Sequence, residues 1–312
     1  MIHSILTSIR NTFAGFSWIK VALIAGAMMV ALGIIHFWGG EIHWGLVLVI
    51  FLIAIFFLLF SYLLLLKTML ENIKEKKIND ATFLTIPWKE PVSIQWMDLN
   101  NSIERSLLIA GTLIAALSLI GMRLSKNPLT LNFLIFGAIV LLILSWKIQQ
   151  KKLDHWILDF MDGFFVILFP ALFVLLNHDF HKESAYFAGF FIPEFLFYLA
   201  FRFVGQMAAV DKMIQPDVGS FPRAIRHSRI IVHHLFLAFG FLAIVVSNLM
   251  GVHWRVLSPQ LFCIISASIQ IIRLEKIMQG SRINWKLDGV LAIGNILLLM
   301  YFQAVPLWIA PI

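Results

Sequence analysis

Two charged segments carry most of the residues that could do chemistry, and each directly follows a long apolar run. The first holds Lys67, Glu71, Lys74 and Glu75; the second holds Asp211, Lys212, Gln215, Asp217 and Gly219. On a helix, Lys67, Glu71 and Glu75 recur at i, i+4 and i+8 and stack on one face. Two carboxylates one turn apart can share a hard divalent cation. The same spacing also suits a solvated helix end, where Lys67–Glu71 and Glu71–Lys74 pairs contribute about 0.2–0.5 kcal/mol each. The second segment has a plain reading too, as a basic loop, because Arg223, Arg226 and Arg229 suffice to orient it.

Other acids lie inside apolar runs. Glu194 follows Pro193 near the middle of one, where a charge costs about 2.5–3.5 kcal/mol on insertion scales. It is expected to face the bundle, protonated or paired, and to line a cavity. Asp159 and Asp162 stand at i and i+3, one turn beyond Lys151 and Lys152. Pairing with those two lysines is the preferred reading; extra carboxylates for a polar site are the other. His233 and His234 point about 100° apart on a helix, which makes them poor joint ligands and places them at the interface.

These residues must be positioned by membrane helices. The chain has 312 residues, of which 60% are hydrophobic and 13% charged, whereas soluble domains carry about a quarter charged. The net charge of +7 is explained by topology, since Lys and Arg collect in cytoplasmic loops. No basic patch with interleaved aromatics points to nucleic acid. The single cysteine, Cys263, excludes an intramolecular disulfide and a cysteine-based zinc site. Residues Met1 to Ser17 show helical apolar spacing with His3 and Arg10 among them, which suits an interfacial helix rather than a cleaved signal peptide.

Crossing about 30 Å of hydrocarbon takes roughly 20 apolar residues. Nine such runs are present: Trp18–Trp38, Trp44–Leu66, Ser106–Leu124, Pro128–Trp146, Ile157–Leu176, Tyr186–Gln206, Ile230–Met250, Val256–Leu274 and Leu287–Ile309. They are continuous, not alternating, so an all-α, multi-pass membrane fold is expected, formed as one integral membrane domain. Lys and Arg concentrate in 67–105, 147–156, 207–229 and the loop after Leu274. The positive-inside rule then puts the N-terminus in the cytoplasm and the C-terminus outside, with a bacterial cell membrane as the expected location. Spans one to four and five to eight each carry an acidic segment after their second helix, followed by a proline (Pro87, Pro222). A weak internal repeat of this kind would gather the two segments over one central cavity.

With these features the chain resembles the UbiA superfamily of intramembrane prenyltransferases, which has nine helices and two aspartate-rich cytosolic motifs. The first motif, N-D-x-x-D-x-x-x-D, aligns with Lys67, Thr68, Glu71 and Glu75, keeping the spacing and two of the acids. Of the downstream R-P-x-P-S-G-x-x-S stretch, the second proline and the serine remain within Leu84–Ser93. The second motif, D-x-x-x-D-x-x-x-G, aligns with Asp211, Gln215 and Gly219; a glutamine replaces one aspartate, and Asp217 lies close enough to compensate. Trp146, Lys151 and Lys152 look like the family's Tyr and Lys-Arg pattern.

The resemblance implies a UbiA-like bundle around a central cavity and Mg²⁺ held by Glu71, Glu75 and Asp211, with Asp217 assisting. An isoprenyl diphosphate would be gripped by Lys74, Lys151, Lys152 and Lys212, and its prenyl group passed to a lipophilic acceptor. Lys67, Asp159, Asp162, Glu194 and Gln215 are further cavity candidates. Three alternatives stay open: a membrane terpene cyclase on the same fold, a non-catalytic isoprenoid-binding protein suggested by Lys67, Thr68 and Gln215, and a transporter using Glu194.

Overall fold

In the computed structural model, residues 18–76, 99–150, 155–178, 184–213, 221–279 and 284–309 are described. The expected interfacial helix at 1–17 lies outside them. All regular structure among the described residues is helical. In chain order the helices are α1 (Trp18–Phe37), α2 (Trp44–Lys76), α3 (Leu99–Leu124), α4 (Pro128–Gln150), α5 (His155–Gly163), α6 (Phe169–Asn177), α7 (Ser184–Met213), α8 (Phe221–Leu249), α9 (Trp254–Leu257), α10 (Cys263–Met278) and α11 (Trp285–Ile309).

Eight stretches are long and apolar enough to cross a membrane, starting at Trp18, Trp44, Ile103, Asp159, Gly189, Ser228, Trp254 and Trp285. Hydrocarbon offers no partner for a free backbone amide, so helices are the form such runs must take. The fourth expected run corresponds to a shorter apolar helical stretch, Pro128–Leu144, within α4. Two spans are not uniform α-helix. Between α5 and α6 the chain makes a π-helical turn, Phe164–Leu168, in which the Phe169 N–H donates to the Phe164 carbonyl. Pro170 follows directly; it has no N–H and its ring crowds the carbonyl four residues back, which a widened turn relieves. The Trp254–Ile277 span joins α9 to α10 through a 3₁₀ turn, Ser258–Phe262, that contains Pro259.

The described helices form two compact units. The first contains the start of α1 and α2 to α6. Its centre is an aromatic stack: Phe57 lies 5.6 Å from Phe169 edge-on, and Phe169 stacks on Phe173 at 5.1 Å. At one end, Asn177 is fully buried, donating to the Phe173 carbonyl and accepting from the Ser125 hydroxyl at 2.8 Å.

The second unit contains the remainder of α1 and α7 to α11. Helices α7 and α8 pack closely because glycine stands at the contacts. A Cβ at Gly189 would sit 2.8 Å from Ser247 Cβ, and one at Gly240 would sit 2.9 Å from the Phe197 ring. Helix α11 runs antiparallel to α7: Gln303 reaches the Phe190 carbonyl, while Val204 and Ala208 share a core with Trp285 and Ala292. Its start is capped by Asn284, whose side-chain oxygen accepts from the Leu287 N–H at 3.2 Å.

Gly240→Leu is therefore expected to lower stability by about 1–3 kcal/mol, the usual cost of overpacking a filled interior. Thermal unfolding in detergent is the measurement, with Gly137→Leu as the control because a Cβ there meets no atom within 4 Å.

Candidate functional site

The first acidic segment sits on a helix that outruns its apolar stretch. The membrane-length part of α2 is Trp44–Leu64, and the helix continues to Lys76. Its backbone thus carries Lys67, Glu71 and Glu75 at one-turn intervals, with Lys74 between them; the side chains of Glu71, Lys74 and Glu75 lie outside the described set. Lys67 itself is engaged. Its Nζ is 3.1 Å from Glu104 Oε1 on α3. The bridge is half-exposed and contributes about 0–1 kcal/mol, so it steers the ends of α2 and α3 more than it stabilises them. An intrahelical Lys67–Glu71 pair was one of two readings of the segment; the interhelical partner, Glu104, was not legible from spacing.

Helix α7 also outruns its apolar stretch, which ends at Ala208, and its backbone carries Asp211 and Lys212 before it ends at Met213. Those two side chains are outside the described set, and Gln215, Asp217 and Gly219 lie outside the described residues, as do Lys151 and Lys152.

Asp162 has a partner that the sequence did not nominate. It pairs with Lys20 of α1 at 2.5 Å, both side chains about one-fifth exposed; the expected lysines, Lys151 and Lys152, lie outside the described residues. A lysine placed one turn inside the first span can snorkel along its apolar stem to reach an acid on a neighbouring helix. Asp159 is buried. Among the described residues no group of three or more His, Cys, Asp and Glu side chains is placed to hold a metal.

A second polar constellation lies in the second unit, built largely from residues that the sequence did not single out. Glu275 on α10 accepts from His234 Nε2 at 3.1 Å, and the His234 and His233 Nδ1 atoms are 3.1 Å apart. His233 Nε2 meets Gln270 Nε2 at 3.0 Å, and the Gln270 oxygen accepts from the Asn295 amide. The chain runs from a half-exposed carboxylate to side chains that are fully buried.

With His234 as the neutral imidazole, its direction follows from donor inventory. A carboxylate only accepts, so His234 donates from Nε2. Neutral His234 then offers an acceptor at Nδ1, which assigns the Nδ1 proton to His233. His233 Nε2 must accept, so Gln270 turns its NH₂ toward it and its oxygen toward Asn295. Asn295 Oδ1 is left as an open, buried acceptor. His233 is wholly buried, against the interfacial reading of the pair, whereas the His234 side chain is about one-fifth exposed.

Two further polar contacts flank this chain. Arg273 Nε donates to Asp288 Oδ1 at 2.7 Å, with the Asp288 side chain fully buried. Farther along α11, Gln303 donates to the Phe190 carbonyl at 2.9 Å and to Gln260 at 3.0 Å. Asp288, Asn295 and Gln303 recur at seven and eight residues, one stripe down the buried side of α11. That spacing is the signal the sequence offered: amides at helical period inside an apolar run.

Glu194 is completely buried, and neither of its carboxyl oxygens has a hydrogen-bond partner. The expectation that it faces the protein interior is met. Among the described residues no pairing partner is found.

Two outcomes are expected. Arg273→Ala, which leaves a buried carboxylate without its cation, should destabilise by about 3 kcal/mol, and clearly more than Asp288→Asn, in thermal unfolding. The nitrogen-15 shifts of His233 should report protonated Nδ1 and bare Nε2; the reverse tautomer would contradict the direction of the chain.

Comparison of the chain with protein-family models, curated proteins and solved structures gives no significant match.

Proposed function

We propose that the chain is a Mg²⁺-dependent prenyltransferase that takes an isoprenyl diphosphate and a lipophilic acceptor within the bilayer. The observation that carries this reading is the continuation of α2 beyond its apolar stretch as one unbroken helix. The backbone of α2 thereby carries Glu71 and Glu75 one turn apart past the end of a span, where in this reading a diphosphate would lie. In the same reading Pro128–Leu144 is the ninth span, the Lys- and Arg-rich segments face the cytoplasm, and the bundle is UbiA-like.

The donor set fits the metal. Hard carboxylate oxygens are what Mg²⁺ takes alongside water and substrate phosphates. Glu71 and Glu75 would hold it, with Asp211 and Asp217 as the acids of the second segment. When bound, the metal supplies charge neutralisation to the departing diphosphate. Lys74, Lys151, Lys152 and Lys212 are assigned to phosphate oxygens as point charges. Lys67 is not, because Glu104 already occupies it. The apolar helix faces exclude water from the prenyl carbon while its bond to oxygen breaks and the acceptor forms the new bond and gives up a proton.

Purified protein incubated with Mg²⁺ and prenyl diphosphates of several chain lengths is expected to release pyrophosphate. Glu71→Gln and Glu75→Gln should each cut the rate at least about tenfold, the loss that follows when about 1.4 kcal/mol of transition-state stabilisation is removed. Product formed without added acceptor would indicate a cyclase. No release at any chain length would overturn the reading.

A further inference from the structure

Glu194 lies within the apolar stretch Gly189–Ala208 of α7. Three other acids among the described residues have a cation or a histidine against them: Lys20 on Asp162, Arg273 on Asp288, His234 on Glu275. Glu194 has none on either oxygen. A carboxylate held in an apolar interior with neither a hydrogen bond nor a counter-charge is the costliest form that a side chain can take, and the neutral acid avoids most of that cost.

The surroundings suit the neutral acid. Phe190, one turn before Glu194, receives the Gln303 amide, which fixes the register of α7 against α11. Glu194 is four residues, about 6 Å, farther along α7; Asn295 is eight residues, about 12 Å, along the antiparallel α11. The level of Glu194 therefore falls between Gln303 and Asn295. Each of those amides keeps a buried oxygen with no partner, and Gln260 keeps a buried Nε2 with none. A protonated carboxyl offers one O–H to such oxygens and one carbonyl to such an N–H, whereas a carboxylate can only accept.

Among the described side chains, the ionisable groups on the elements packed against α7 are otherwise placed. On α8, Arg229 donates to the Gln206 carbonyl, and His233 and His234 belong to the chain that ends on Glu275. On α11, Asp288 is held by Arg273, Tyr301 is exposed, and Lys286 is exposed. On α1, His36 stacks against Trp308. Tyr186, Tyr198 and Arg202 share α7 with Glu194 and have interactions of their own. None of these groups bonds to the Glu194 carboxyl.

We propose that Glu194 is a reversible proton-binding site in the interior of the second unit. It is occupied in the packing described here, and it releases its proton only when the surrounding helices rearrange to admit water or a counter-charge. This site is independent of the acidic segments assigned to prenyl transfer and stands or falls separately from them.

Dicyclohexylcarbodiimide tests it, because this lipophilic reagent takes up the proton of a buried carboxylic acid and leaves a stable N-acylurea that peptide mass spectrometry locates. The full-length protein in detergent is expected to be labelled at Glu194 under mildly acidic conditions, several-fold less at alkaline pH, and equally with or without Na⁺. Asp162 and Asp288, which are paired, should stay unlabelled. Glu194→Gln should abolish the label and leave thermal unfolding at acidic pH unchanged. Absence of label at Glu194 in protein that unfolds cooperatively would overturn the proposal. Protection by Na⁺ would overturn it as well, since the site would then belong to a metal cation.

Discussion

Hydrocarbon offers no hydrogen bonds, and that constraint governs almost every feature of this chain. It forces the apolar runs into helices, because only helices satisfy their own backbone. It also makes each polar side chain inside a span choose between a partner on a neighbouring helix and a position near the end. Lys20 reaching Asp162 and Arg273 reaching Asp288 are the charged solutions. Both lie near the ends of their apolar stretches, where a charge costs least.

Amides supply the solution deeper in. An amide has both donors and acceptors, so Gln270 and Asn295 can extend a chain that begins at a half-exposed carboxylate and ends among buried helices. The cost of such a chain is rigidity of direction: each member dictates the orientation of the next. Removing one from the middle strands two neighbours, which is why a partly satisfied network is worse than none. The close approach of α7 and α8 at Gly189 and Gly240 narrows the space in which side chains on these helices can settle.

Helix positions were largely legible in the sequence, because hydropathy over twenty residues is a local property. The start of α1 at Trp18, of α2 at Trp44 and of α4 at Pro128 coincide with the expected spans. Interruptions were not: Pro170 and Pro259 look alike in an apolar run, yet one accompanies a π turn and the other a 3₁₀ turn. Partners were the least legible. Lys67 and Asp162 each have a sequence neighbour of the right charge, and each meets a residue on another helix, Glu104 and Lys20, that spacing did not nominate. Spacing along one helix can nominate a pair but carries no information about which helices will lie side by side. The burial of Glu194 was foreseeable from its position alone; the open amide oxygens of Gln303 and Asn295 near its level depend on the antiparallel register of α7 and α11.

The most direct test of this balance between polarity and apolar surroundings is an infrared difference spectrum between the wild-type protein and Glu194→Gln near neutral pH. The expected difference is a single protonated-carboxyl C=O band present only in the wild type, at a frequency that marks weak hydrogen bonding. A pair of carboxylate bands in its place would mean that Glu194 is ionised in the interior. In that case the burial described here would be incompatible with the protein as it exists in the membrane.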